Sequence, residues 1–92
     1  MPNLITTLGP KKPADLGMIL PHEHIFVDLR TWDTPGYAQA EVEDVIQLMA
    51  PEIAKAQGVG VTAIVECSAV GVGRRVEFDL AVSEATNLPI VI

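Results

Sequence analysis

The sequence predicts an α/β domain built on parallel strands, and three observations carry that prediction. Apolar, β-rich runs recur around Ile19, Ile64 and Ile90. The segments between them change to a helical period, and alternation of this kind implies parallel strands joined by right-handed crossovers. The run Val59-Gly60-Val61-Thr62-Ala63-Ile64-Val65-Glu66 is near-continuously β-branched, the signature of a strand covered on both faces.

Taken in order, Leu4-Ile5-Thr6-Thr7-Leu8 is a short β-prone run closed by Gly9-Pro10. The polar turn Lys11-Lys12-Pro13-Ala14-Asp15 then leads through Gly17 into Met18-Ile19-Leu20, a hairpin-like start to the first core strand. Ile25-Phe26-Val27-Asp28-Leu29 continues apolar, and Thr31 to Tyr37 is a loop rich in turn formers. From Glu41 onward, Val42, Val45, Ile46, Met49 and Ile53 mark one face of an amphipathic helix. Glu41, Glu43 and Asp44 suit its positive end. Pro51 is expected to kink or split this helix, because it lacks an N–H and crowds the preceding turn; Gly58 is its expected stop. The strand that follows reads from Val59 to Glu66. Gly71-Val72-Gly73 makes a tight turn, a second helix runs from Arg74 to Thr86, and Asn87 is a left-handed cap. Leu88-Pro89-Ile90-Val91-Ile92 begins another buried strand.

At 92 residues the chain suits one small domain, with no linker, internal repeat or low-complexity segment. The net charge of −6 and scattered basic residues argue against a nucleic-acid surface. No apolar run is long enough to span a bilayer, so no membrane partner is expected. Cys67 is the single cysteine, which excludes an internal disulfide and fits a reducing compartment. The residues from Met1 to Leu8 lack the basic and long apolar regions of a signal peptide. A cytoplasmic protein is therefore expected.

The chemistry centres on His22-Glu23-His24, placed where the first core strand should end. In a strand alternate side chains share a side, so both imidazoles project together while Glu23 turns away. Two neutral imidazoles aimed at one point suit zinc and similar divalent ions. The carboxyl ends of parallel strands are where α/β folds gather their sites. Glu66 and Cys67 end the next strand on the same side and could reach the ion. The plainer reading, favoured here, makes Cys67 a small core hydrophobe and Glu66 the partner of a helix or loop group. Asp28 is a candidate to orient an imidazole from behind, as metal-bound histidines usually require, or else a turn residue. Gly73 and Arg74, within residues 71–75, could offer backbone N–H groups and guanidinium charge to an anion. A glycine turn followed by a solvated arginine face is the simpler alternative. Trp32 and Tyr37 are loop aromatics that could line a pocket.

Several stretches together resemble the phosphotriesterase family of the amidohydrolase superfamily. Ile5-Thr6-Thr7-Leu8-Gly9-Pro10, Asp15-Leu16-Gly17 and Leu20-Pro21-His22-Glu23-His24-Ile25 with Asp28 are similar to its opening block. Gly60-Val61-Thr62-Ala63-Ile64-Val65-Glu66-Cys67-Ser68 with Gly71-Val72-Gly73-Arg74 is similar to its second strand and turn. Residues 84–91 are similar to the approach to its third strand. The resemblance implies the N-terminal portion of a (β/α)8 barrel: a leading hairpin, two strand–helix units and the start of a third strand. On this reading residues 1–92 form a single partial domain. It implies a metal-dependent hydrolase of lactones, phosphotriesters or related esters, with two divalent ions per complete site, zinc foremost. His22 and His24 correspond to the pair that ligates the more buried ion. A small-molecule ester would be the substrate. Separately, three parallel strands leave an apolar edge that a partner would have to cover, so a homo-oligomer is expected.

The family's centre also needs a bridging lysine or acid, two more histidines and an aspartate from later strands. This chain has two histidines in all, and a complete barrel takes about 250 residues. The sequence therefore reads as an N-terminal fragment, a truncated product or an incomplete frame, inactive by itself. Two other readings stay open: a non-catalytic remnant that self-associates or binds a partner, and a small α/β anion-binding module using residues 71–75.

Overall fold

A computed structural model describes residues 3–92; Met1 and Pro2, at the start of the N-terminal run from Met1 to Leu8, lie outside the described residues. Two strands, β1 (Leu4–Thr6) and β2 (Gly9–Lys11), form an antiparallel hairpin. Three more, β3 (Met18–Glu23), β4 (Val61–Glu66) and β5 (Ile90–Val91), form a parallel sheet in the order β3-β4-β5. Helix α1 (Val42–Gly58) connects β3 to β4, and α2 (Val76–Thr86) connects β4 to β5. The expected alternation of strand and helix is what forms. Among the described residues no helix is long and apolar enough to cross a membrane.

The hairpin is tighter than the sequence suggested. Gly9-Pro10 does not close the first run but lies inside β2, and the reversal occurs at Thr7-Leu8. Thr6 drives it: its hydroxyl donates to the Gly9 carbonyl at 2.7 Å and accepts the Leu8 N–H at 3.1 Å. Thr7 then ties the hairpin to the sheet. Its N–H donates to the Ile90 carbonyl at 2.9 Å, and its hydroxyl accepts the Ile90 N–H at 3.0 Å.

The core lies between the sheet and the two helices, with Ile25, Val45, Ile53, Val61, Ile64, Phe78, Val82, Leu88 and Ile90 buried together. The α1 face expected from periodicity is the buried one: Val45 and Ile53 are buried, and Val42, Ile46 and Met49 pack at the margin. Phe26 meets Phe78 edge-on at 4.9 Å between ring centroids, a preferred aromatic geometry. By contrast β3 stops at Glu23. The apolar continuation expected beyond it leaves regular structure, and Val27 and Leu29 are exposed.

Pro51 neither splits nor ends α1, which is helical from Val42 to Gly58. Position 51 faces water, as does Gln47, whose carbonyl loses its usual donor. Solvent can satisfy that oxygen, so the proline is tolerated at a cost in stability. Replacing Pro51 with alanine should therefore stabilise the protein by about 1–3 kcal/mol, read as a higher urea midpoint. An unchanged or lower midpoint would show that the restored hydrogen bond is offset by freedom gained in the unfolded chain. Helix α1 ends at Gly58, the expected stop, and the left-handed glycine that follows is Gly60 (φ +104°). Helix α2 starts at Val76 rather than Arg74, and Asn87 is its left-handed cap (φ 54°), as expected.

The register of β3 against β4 contains one feature that shapes the site. Leu20 pairs with Ile64, whereas Glu23 pairs with Glu66, so β3 holds one more residue than its partner across this interval. The extra residue falls at Pro21-His22. Proline cannot donate to a ladder, and a bulge is where a sheet accommodates it. The bulge re-aims the end of β3 just where the histidines begin.

Candidate metal centre

Because β3 and β4 are parallel, their carboxyl ends lie side by side, and His22, His24, Glu66 and Cys67 cluster there. The two imidazoles meet edge-to-face with centroids 5.3 Å apart. Glu23 and His24 both border a cleft beside α1, with Leu20, Ile25, Met49 and Ile53.

Hydrogen bonds determine which nitrogen of His24 is available. Its Nδ1 lies 2.8 Å from the Ser68 hydroxyl. That hydroxyl has its own acceptor, the Phe26 carbonyl at 3.5 Å. If the hydroxyl proton points to Phe26, the Ser68 oxygen accepts from Nδ1–H, and Nε2 is left as the lone-pair nitrogen. Metal-bound histidines are commonly held in this way, by a partner on the other ring nitrogen. Ser68 is itself buried, and its N–H donates to Glu66 Oε1 at 2.6 Å. Glu66 Oε1 lies 3.9 Å from His24 Nδ1.

Cys67 is not a core residue. It is exposed, contrary to the reading favoured from sequence. Its N–H donates to the Glu23 carbonyl at 3.1 Å, and Sγ lies 3.8 Å from His24 Nε2. One ligand atom each from His22, His24 and Cys67 falls within 4.8 Å of the others. Three N and S donors this close match the donor chemistry of a zinc-type ion, so the residues present fit a divalent metal.

Behind Ser68 and Glu66 lies Asp79 of α2, fully buried, with neither carboxylate oxygen hydrogen-bonded among the described residues. Burial pushes its pKa up to about 8, and the facing Glu66 carboxylate adds to the shift. Sequence reading missed Asp79, although a signal existed: it lies three residues before buried Val82 and so on the core face of α2. Ser68 was also missed, and no local pattern marks it.

Two sequence candidates are placed elsewhere. The Asp28 carboxylate does not orient an imidazole. It accepts from the Arg30 guanidinium, with Arg30 Nη2 at 2.6 Å from Oδ2, and from the N–H groups of Arg30 and Ala38. Those contacts hold it well below the usual carboxylate range, the Arg30 hydrogen bonds contributing most. Short backbone-donor geometry around a carboxylate makes it a loop organiser, because it gathers residues 28–38 into one turn-rich unit. The anion cradle expected at Gly73 and Arg74 is not assembled either. The Gly73 N–H donates to the Val70 carbonyl and the Arg74 N–H to the Ala69 carbonyl, both at 3.2 Å, so the turn consumes both donors. Arg75 is also committed: its guanidinium stacks 4.3 Å from the Phe78 ring centroid and donates to the Ala38 carbonyl and Glu77. Of the loop aromatics, Trp32 is 77% exposed, while the Tyr37 hydroxyl donates to the Val70 carbonyl at 2.9 Å.

Comparison with known proteins is consistent with this layout. The sequence model of the phosphotriesterase family matches residues 2–92. A protein of Mycobacterium tuberculosis named phosphotriesterase homology protein is 36% identical over 95 residues, a match covering all of this chain and 28% of that relative. A double mutant of an organophosphorus hydrolase from Deinococcus radiodurans superposes with a TM-score of 0.81 at 28% identity, over 98% of this chain and 27% of that one. A lactonase from Listeria monocytogenes superposes with a TM-score of 0.71 at 26% identity, over 97% of this chain and 27% of that one. The chain thus spans under a third of the length of these relatives, and its two strand–helix units and third strand are the N-terminal portion of a (β/α)8 barrel. A family match running almost end to end, joined to a relative more than a third identical over the whole chain, shows that this chain belongs to the phosphotriesterase family.

Proposed function

We propose that this chain supplies the metal-binding start of a hydrolase of ester-type bonds, with His22 and His24 as ligands to a divalent ion, zinc foremost. The observation that carries this reading is the convergence of the two imidazoles at the carboxyl end of β3. The names of the similar proteins, organophosphorus hydrolase and lactonase, support the substrate class of phosphotriesters and lactones. When bound, a divalent ion lowers the pKa of water and polarises a carbonyl or phosphoryl oxygen. The residues of this chain hold and orient. Ser68 keeps His24 in one ring orientation, and the Pro21 bulge sets the direction in which His22 leaves the strand. The Cys67 N–H bond to Glu23 keeps the ends of β3 and β4 together, so the imidazoles need little rearrangement to receive the ion.

The test is metal content and hydrolysis in the natural protein that carries this sequence. Replacing His22 or His24 with alanine should lower zinc retained after dialysis and cut lactone or phosphotriester hydrolysis by more than about a hundredfold, since loss of a supporting residue alone costs 10–100-fold. Near-normal turnover in either variant with metal still bound would refute the assignment.

A further inference from the structure

We propose that Cys67 is a third protein ligand to the ion held by His22 and His24, so that this chain presents a two-histidine, one-cysteine set. The inference rests on the metal reading above and deepens it. Three observations converge on the thiol. Sγ lies 3.8 Å from His24 Nε2, close to the edge of about 3.6 Å that joins N and S donors around tetrahedral zinc with ordinary bond lengths. Ligand atoms of all three residues lie within 4.8 Å of one another. The position is also built into the sheet, because the Cys67 N–H bonds to the carbonyl of Glu23, the residue between the two histidines. Any shift of β3 that moves the imidazoles carries the Cys67 backbone with it.

The chemistry follows from the donor. On binding, the thiol releases its proton to solvent and the sulfur donates as thiolate. A thiolate favours zinc, cobalt(II) and similar borderline ions over magnesium, calcium or manganese, which prefer oxygen. This chain's contribution to the centre is therefore selective, where two imidazoles alone would accept many divalent ions. Exposure of Cys67 leaves it open to solvent and reagents in the metal-free protein.

The experiment is a cobalt(II) titration of the metal-free natural protein followed by absorption spectroscopy. The expected result is a near-ultraviolet sulfur-to-cobalt charge-transfer band. Cys67→Ser should abolish it while still binding cobalt, with affinity lowered by roughly tenfold or more. Cobalt bound without that band, or a band that persists in Cys67→Ser, overturns the cysteine assignment and leaves the histidine reading standing. A band that survives His22→Ala with His24→Ala also overturns it, since the thiol would then bind apart from the imidazoles. Failure of the parent protein to take up cobalt at all removes both readings together. As a second measurement, zinc should shield the Cys67 peptide from iodoacetamide, and that shielding should vanish in the double histidine variant. Equal alkylation with and without zinc, in protein that retains the ion, contradicts the proposal.

Discussion

Replacing Asp79 with asparagine is expected to stabilise the protein by on the order of 2–4 kcal/mol at pH 7, with the gain shrinking toward acid. Asp79 is 0% exposed, and neither of its oxygens has a hydrogen-bond partner among the described residues. The groups around it are unequal. Glu66 and Glu77 repel its charge, and Arg74 offsets part of that repulsion. Its pKa is raised from 3.8 to about 8. Below pH 3.8 the carboxyl is protonated in both folded and unfolded chains and has no effect on pH dependence. Between 3.8 and about 8 the unfolded chain releases a proton that the folded chain keeps, so stability falls as pH rises. Above about 8 the folded state carries the buried charge and the slope flattens. Asparagine keeps the shape and removes the ionisation. Urea unfolding at intervals from pH 4 to 9 distinguishes the outcomes: the parent curve should descend and the variant curve should lack this component. Parallel curves would mean that Asp79 is solvated or paired in solution.

Gly73→Ala is expected to destabilise by about 2–4 kcal/mol, well beyond the loss from an ordinary glycine substitution. Gly73 has a φ of +93°, and a Cβ there would lie 2.7 Å from the Asp28 backbone nitrogen and 3.0 Å from its Cβ. The nitrogen cannot withdraw freely, because its N–H donates to the Val72 carbonyl at 2.8 Å. Asp28 is in turn held by Arg30 and Ala38, so any displacement spreads through the loop that follows His24. Gly60→Ala is the control. Its φ is +104°, yet a Cβ would meet nothing within 4 Å, so it should show only the left-handed backbone cost of about 1–2 kcal/mol. The difference between the two variants in denaturant unfolding isolates the close approach. Equal losses would show that the Asp28 loop yields to a methyl group at negligible cost.

Asp79 and Gly73 both owe their importance to packing against other elements, and the same distinction governs how much of the site was legible. His22 and His24 could be read as a pair because the motif spans only three residues, although β3 ends between them at Glu23. The left-handed cap at Asn87 and the buried face of α1 were equally accessible, since both follow from side-chain chemistry within a few residues. Pro51 does not split α1, for a reason outside its own helix. Whether a missing hydrogen bond is costly depends on whether water reaches the orphaned carbonyl, and only packing decides that. The placement of Cys67 was misjudged for a related reason. A cysteine ending a buried strand is usually core, but here the strand ends at Glu66 and Cys67 emerges beside His24.

What the sequence determined by itself is the alternating α/β order, the apolar faces, the left-handed cap and the paired imidazoles, all set by periodicity and backbone preference over short range. Tertiary structure alone decided the bulge at Pro21, the Ser68 contact on His24, the approach of Cys67 and the burial of Asp79 behind Glu66. Each of those depends on the register between β3 and β4 or on the packing of α2 against the sheet. The contacts between β3 and β4 join residues more than forty positions apart, such as His24 and Ser68. Register is a collective property of two strands, set by which apolar side chains are buried together, and no local run of residues encodes it.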